Sequence, residues 1–299
     1  MKFKARVKEI ILDKYLLEII NTKEEIEASI RGNAKKNNNI LVGDIVEVDF
    51  SYDRYMIENI LERKNSLIRP PVANIDNLLI VISIANPNPD FYLLDKQLIL
   101  CFFKNITPII VINKIDLDLT NKTKEYISYI NRVYKNLGIR VIEVSSKENI
   151  GIDKLKASLK SGISAFSGNS GVGKSSIINC IFKDEIKEAD TSEVAKKTNR
   201  GRHTTKYVKI YEKDGMYILD TPGFSSFEIY DIEYKQLKEL YPEFKKLKCD
   251  YSDCNHVNEK EDVCSVKKAV KSGGVDIQRY ERYVETFNKL KELDEKKYK

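Results

Sequence analysis

A glycine-rich run, Gly168-Asn169-Ser170-Gly171-Val172-Gly173-Lys174-Ser175, lies between an apolar segment (164–167) and a helix-patterned one (175–182). Its spacing, G-x-x-x-x-G-K-S, is that of a phosphate-binding loop. Glycines let main-chain N–H groups turn inward around an anion where a Cβ would clash. Lys174 carries charge to the β- and γ-phosphates, and the Ser175 hydroxyl can hold Mg²⁺. Ser176 follows in the same first turn, and the positive end of that helix points at the same anion. A strand, loop and helix joined in this way belong to a sheet flanked by helices, and the surrounding sequence has that form.

Apolar strand patterns at 78–84, 108–113, 141–144, 164–167, 207–211 and 216–219 alternate with helical patterns at 91–103, 122–137, 152–159 and 175–182. The alternation predicts a parallel sheet with helices on its faces. Arg69-Pro70-Pro71 marks a stiff boundary before it. The first 64 residues read as five short strands (3–7, 15–20, 26–30, 44–50, 55–61), which predicts a small barrel such as an OB-fold. After about residue 226 the pattern changes again. A helix is expected over 234–248, then a polar loop with cysteines. A lysine- and glutamate-rich helix follows at 276–296, with Ile277, Tyr280, Val284, Phe287 and Leu290 facing a core. The expected fold class is multidomain. An OB-like β-barrel (1–64) precedes a central α/β P-loop domain (65–225) and a mostly helical metal-binding domain (226–299).

Asn113-Lys114-Ile115-Asp116 follows the strand at 108–113. It matches the N-K-x-D signature with which small GTPases grip guanine. The Asp116 carboxylate can accept from guanine N1–H and the exocyclic amine together, a donor pair adenine lacks. Asn113 would brace the loop, and the Lys114 stem would cover the base. Ser145-Ser146-Lys147, after the next strand, is similar to the S-A-K loop that contacts guanine O6, with serine in the middle position. Leu219-Asp220-Thr221-Pro222-Gly223 ends a later strand with D-x-x-G. Asp220 would meet Mg²⁺ and the Gly223 N–H the γ-phosphate. Between the two phosphate motifs, Gly201-Arg202-His203-Thr204-Thr205 offers a threonine to close over Mg²⁺ when GTP is present, Thr205 or else Thr204. The guanine motif precedes the phosphate loop, the reverse of the ordinary GTPase order, so the nucleotide domain is expected to be circularly permuted.

Cys249-x₄-Cys254-x-His256-x₇-Cys264 supplies three thiolates and an imidazole, a set suited to one tetrahedral zinc ion. Four protein ligands leave no open position, so the site should be structural. The other two of the five cysteines, Cys101 and Cys180, sit in apolar sequence and are expected to be buried and inert. The net charge of +6 on 299 residues permits nucleic-acid binding without requiring it. Residues 1–8 lack the apolar core of a signal peptide, and runs such as 78–82 and 98–103 are too short to span a bilayer. A cytoplasmic monomer without membrane contact is expected.

Motifs and order together resemble the circularly permuted GTPases, and among them the ribosome small subunit-dependent (RsgA/YjeQ) family. The likeness covers nearly the whole chain: barrel, N-K-I-D, S-S-K, phosphate loop, G-R-H-T-T, D-T-P-G-F, then the cysteine cluster. It implies a GTPase that binds the small ribosomal subunit and its rRNA and acts late in its assembly. It also implies that hydrolysis is slow alone and stimulated by the subunit. Ras-like enzymes place a water-orienting glutamine where this chain has Phe224, which cannot orient water. The resemblance points to His203 for that role, beside Thr205 and Lys174. Two other readings stand against this one. The chain could be a GTP-dependent enzyme acting on another substrate, although no second catalytic constellation is visible. It could instead be an RNA-binding module with a silent nucleotide domain, which intact Lys174, Ser175, Asp220 and Asp116 oppose.

Overall fold

The structure is a computed structural model. It describes residues 2–30, 39–117, 120–160, 162–182, 208–220, 229 and 231–297.

Five strands close a barrel at the N-terminus: β1 (Lys2–Ile11), β2 (Lys14–Ile19), β3 (Glu25–Ile30), β4 (Ile45–Ser51) and β5 (Arg54–Ile60). Their order is β1-β2-β3-β5-β4, and β4 returns to β1. Alternation along each strand sends Ala5, Val7, Leu17, Ile26, Val46, Val48 and Ile57 inward to a core of their own. β1 is long enough to pair with both β2 and β4, and a register shift between Val7 and Glu9 bends it to do so. A short hairpin, β6 (Ser66–Leu67) with β7 (Val72–Ala73), follows.

The central sheet contains β8 (Ile75–Ser83), β9 (Thr107–Asn113), β10 (Arg140–Glu143), β11 (Ile163–Ser167), β12 (Lys209–Lys213) and β13 (Met216–Asp220), in the order β10-β9-β8-β11-β13-β12. All neighbours are parallel except β12 and β13. That pair departs from the all-parallel expectation because Asp214-Gly215 turns the chain back. Both residues have positive φ (50° and 77°), as a two-residue hairpin requires.

Odd-numbered residues of β8, such as Leu79 and Val81, face helices α3 (Ile152–Ser158) and α4 (Lys174–Phe182). Even-numbered ones, such as Leu78 and Ile80, face α1 (Phe91–Phe103) and α2 (Asn121–Val133). Asp90 caps α1 by accepting from the Leu93 N–H at 2.9 Å, and Thr120 caps α2. The helix expected over 122–137 stops at Val133. A 3-10 turn (Lys135–Leu137) and left-handed Gly138 finish it.

The C-terminal elements are α5 (Ser265–Lys271) and α6 (Ile277–Lys297). The helix expected over 234–248 is instead a 3-10 segment, Tyr234–Leu240. Tyr241 precedes Pro242 and is held extended, at φ −108° and ψ 102°, which ends helical winding there. On α6, Phe287 and Leu290 are buried as expected, but Ile277 is 52% exposed, and Tyr283 is buried in its stead. Tyr241, Phe244, Cys254, Cys264 and Tyr283 share one apolar cluster with α1 and β8, so this region packs on the central sheet's own core.

The barrel is not a separate body on a tether. β1 pairs with β12 at Glu9 and Lys209, and barrel and central strands form one continuous eleven-stranded sheet.

Candidate functional site

In the central sheet, β8, β9 and β10 run outward to one side, and the chain then crosses back to set β11 on the other side of β8. Ligands of open α/β sheets bind at such a switch point, beyond the carboxyl ends of the strands. Ser83, Asn113 and Ser167 end β8, β9 and β11 at that edge. The loops that follow β9, β10 and β11 form a cleft of about 530 Å³. Its walls are Asn113, Lys114, Asp116 and Leu117 from one loop and Ser146 and Lys147 from a second. The third loop gives Ser170, Gly171, Gly173, Lys174, Ser175 and Ser176.

Asn113 ties the three loops together. Its Nδ2 donates to the Val172 carbonyl at 2.9 Å and to Ser146 Oγ at 3.3 Å, and its Oδ1 accepts from the Ser146 N–H at 3.1 Å. Gly173, at φ +96°, sits so close that a Cβ would lie 2.2 Å from Asn113 Nδ2. Gly168 has no more room: a Cβ there would meet the Val81 carbonyl oxygen at 2.1 Å. Both glycines are therefore required by packing as well as by backbone conformation.

Asp116 is oriented by Ser145, whose Oγ donates to Asp116 Oδ1 at 2.6 Å and accepts from the Glu148 N–H. Ser145 is itself fully buried and serves behind the cleft wall. Ile115 turns away to pack on the apolar core, and Val172 is buried beneath the loop. Lys174 Nζ donates to the carbonyls of Gly168 and Asn169 at 2.7 and 2.9 Å. Partial burial pushes its ammonium below the ordinary lysine range, and an anion bound beside it would offset that lost solvation. Asp220 ends β13, its main chain paired with Lys209. Its side chain, together with His203, Thr204, Thr205, Gly223 and Phe224, lies outside the described residues.

Three contacts escaped sequence reading. Lys114 Nζ donates to the main-chain carbonyl of Asn86, and Pro87 Cδ comes within 3.7 Å of where a Gly171 Cβ would be. The turn-rich run Asn86-Pro87-Asn88-Pro89 between strand and helix was the available signal. Cys180 packs against the apolar core but is half-buried, not fully buried, and its Sγ reaches the Ser146 carbonyl at 3.1 Å, because this part of α4 lies beside the guanine-side loop.

A second cluster lies in the C-terminal region. Cys249, Cys254, His256 and Cys264 place their ligand atoms within 4.8 Å of one another. His256 Nδ1 stands 3.5, 3.3 and 3.5 Å from the sulfurs of Cys249, Cys254 and Cys264. These four side chains can hold one metal ion. The loop is held in place by its neighbours. Tyr280 and Tyr283 donate to the His256 and Asn255 carbonyls, and Glu259 accepts from the Asn255 and Val257 N–H groups.

Between the two clusters runs a buried ionic lattice that no motif announced. Asp95 of α1 receives Arg279 and Arg282 of α6 and the Tyr134 hydroxyl, and Arg279 also pairs with Glu243. Asp95 and Arg279 are 1% and 2% exposed.

A phosphate loop and a guanine-type loop on one cleft, with the guanine-side strands earlier in the chain, define a circularly permuted P-loop GTPase. A model of the RsgA GTPase family matches residues 60–230. The chain is 40% identical over 292 residues to small ribosomal subunit biogenesis GTPase RsgA of Ruminiclostridium cellulolyticum, covering 95% of this chain and 93% of that one. It is 41% identical to the protein of the same name from Thermotoga maritima, covering 90% of each. The crystal structure of YjeQ from Thermotoga maritima superposes with a TM-score of 0.84 at 35% identity, over 97% of this chain and 99% of that one. That of YloQ, a circularly permuted GTPase, does so with 0.80 at 30% identity, over 98% and 96%. The chain belongs to the RsgA GTPase family and is a GTP hydrolase. Among the described residues, no helix is long and apolar enough to cross a membrane.

Proposed function

We propose that this chain is a GTPase of small ribosomal subunit biogenesis. It binds the subunit and its rRNA late in assembly and hydrolyses GTP in response to that binding, as a cytoplasmic monomer. The observation that carries the reading is the convergence of N-K-I-D, S-S-K and the phosphate loop on one cleft, in reversed chain order. Relatives of nearly the same length bear small ribosomal subunit biogenesis in their name.

In this reading Asp116 reads the guanine edge, Lys114 lies along the base, Ser146 and Lys147 close its far side, and Ser145 serves the guanine from behind by holding Asp116. Residues 168–176 wrap the phosphates. Ser175, Asp220 and Thr205 would hold Mg²⁺, which when bound neutralises phosphate charge. His203 orients the attacking water, and Lys174 stabilises the charge that develops on the phosphate oxygens. We read residues 1–64 as an OB-type barrel, 65–225 as the permuted GTPase domain and 226–299 as a zinc-binding module. The four-residue cluster suits zinc. Bonds of about 2.3 Å to sulfur and 2.0 Å to nitrogen set tetrahedral edges of roughly 3.5–3.8 Å. The observed Cys249–Cys264 separation is 3.9 Å, and the sulfur–nitrogen separations are 3.3–3.5 Å. All four positions are filled by protein, so the ion's role is to hold the loop together.

GTP turnover measured with and without purified small subunits tests the reading. Stimulation is expected, and its loss in His203→Ala with GTP binding retained; a flat response would remove ribosome dependence. Turnover tied to another substrate would favour a different GTP-dependent enzyme. No turnover at all would favour a silent nucleotide domain.

A further inference from the structure

We propose that Gln97 is a positioning residue for the phosphate loop, acting through one water molecule bound between α1 and that loop. The inference rests on the reading of the cleft as the nucleotide site.

At the switch point, behind the cleft, a small cavity of about 10 Å³ separates α1 from the loop. That is room for a single water. One wall is formed by Asp90 and Gln97, the other by Gly168, Asn169 and Val172. Gln97 is 1% exposed, and its Nε2 has no hydrogen-bond partner among the described residues. A buried amide donor is rarely left unpaired, because burial removes its water without replacement. A residue of the cavity lining with an unpaired N–H₂ donor calls for an acceptor lone pair, which a water supplies.

The opposite wall explains why this matters for function. Gly168 and Asn169 are the residues whose carbonyls hold Lys174 Nζ. Each carbonyl oxygen has two lone pairs, and Lys174 uses one. A water that accepts from Gln97 and donates to either carbonyl would fix the direction in which both aim the ammonium. Asp90 already caps α1 through Oδ1, so α1, the water and the loop would form one connected polar unit. Gln97 lies in a helix-patterned apolar segment and carries no motif, so nothing in sequence marks it.

Two measurements test this independently. A crystal structure of the full chain that resolves ordered solvent should show a water within hydrogen-bond reach of Gln97 Nε2 and of the Gly168 or Asn169 carbonyl. A dry cavity, or an amide turned to a protein acceptor, would overturn the proposal. Gln97→Met keeps the length and removes the amide. Its KM for GTP and Kd for GDP should rise about tenfold while kcat at saturation and the thermal midpoint stay near wild type. A merely structural role would lower the midpoint and the active fraction and leave KM unmoved. A folded variant with wild-type KM and GDP affinity therefore refutes the positioning role. If the variant fails to fold, the solvent structure of the wild-type protein decides. A wild-type chain that binds neither GDP nor GTP would instead sink the nucleotide reading itself, and the proposal with it.

Discussion

The barrel and the C-terminal region both attach to the central sheet, but through different chemistry. The barrel meets it largely through main chain, where β1 pairs with β12 at Glu9 and Lys209. Of the accompanying polar contacts, Lys209 to Glu9 at 2.7 Å and Lys23 to Tyr217 at 2.8 Å are partly solvated, while Tyr217 to Glu18 at 2.7 Å is buried but is not an ion pair. Arg6 stacks over the Tyr217 ring, 4.3 Å from its centre. The C-terminal region attaches through Asp95, Arg279 and Glu243, charges taken almost wholly out of water. Main-chain pairing survives most side-chain changes because its donors and acceptors belong to every residue. A buried ion pair does not, since loss of one partner strands the other in a medium that cannot solvate it. The first junction should therefore be tolerant and graded, the second brittle.

The largest expected effect comes from removing the metal that the cysteine cluster is read to hold. A structural ion of this type contributes on the order of 10 kcal/mol to the folding of the loop that binds it. Treatment with a strong chelator should expose the C-terminal region to limited proteolysis and leave the barrel and central sheet resistant. Proteolysis spread evenly over the chain would contradict two junctions of different kind. Next is Arg279→Met, which leaves Asp95 with Arg282 and the Tyr134 hydroxyl and takes from Glu243 its Arg279 partner. It should cost about 3–5 kcal/mol in urea denaturation. A loss below about 1 kcal/mol would show that water reaches the lattice. Smallest is Tyr217→Phe at the barrel junction. It deletes hydrogen bonds to Glu18 and Lys23 and should cost about 2 kcal/mol. The main-chain pairing should keep the barrel attached, which hydrogen exchange at Glu9 and Lys209 would report.

Sequence reading succeeded where the determinants are local. The barrel strands, α1 and the ends of β8 and β9 follow from periodicity of two or 3.6 residues. The phosphate loop follows from glycines that no other residue can replace, and the structure adds that Gly173 is also demanded by Asn113. It went astray where a neighbour outweighed the local pattern. Pro242 broke the helix expected over 234–248, and Asp214-Gly215 reversed a strand read as parallel. Ile277 fits the apolar stripe of its helix, yet the packing of Tyr283 against Tyr241 and Phe244 turns that stripe away from it.

The proposed chemistry, by contrast with geometry, is written in the one-dimensional chain. The carboxylate proposed for guanine, the glycines and lysine proposed for phosphate and the four-residue cluster that can hold a metal depend on residue type and short spacing, which local sequence carries. What required the folded molecule was the meeting of distant residues. Asp95 with Arg279, and Glu18 with Tyr217, join positions 184 and 199 residues apart. Gln97 comes to lie behind the phosphate loop only because the chain crosses back at β11. No local propensity encodes such pairs. They arise when burying the apolar faces of a permuted sheet leaves each polar group one place to find a partner, and that choice is made by the whole fold.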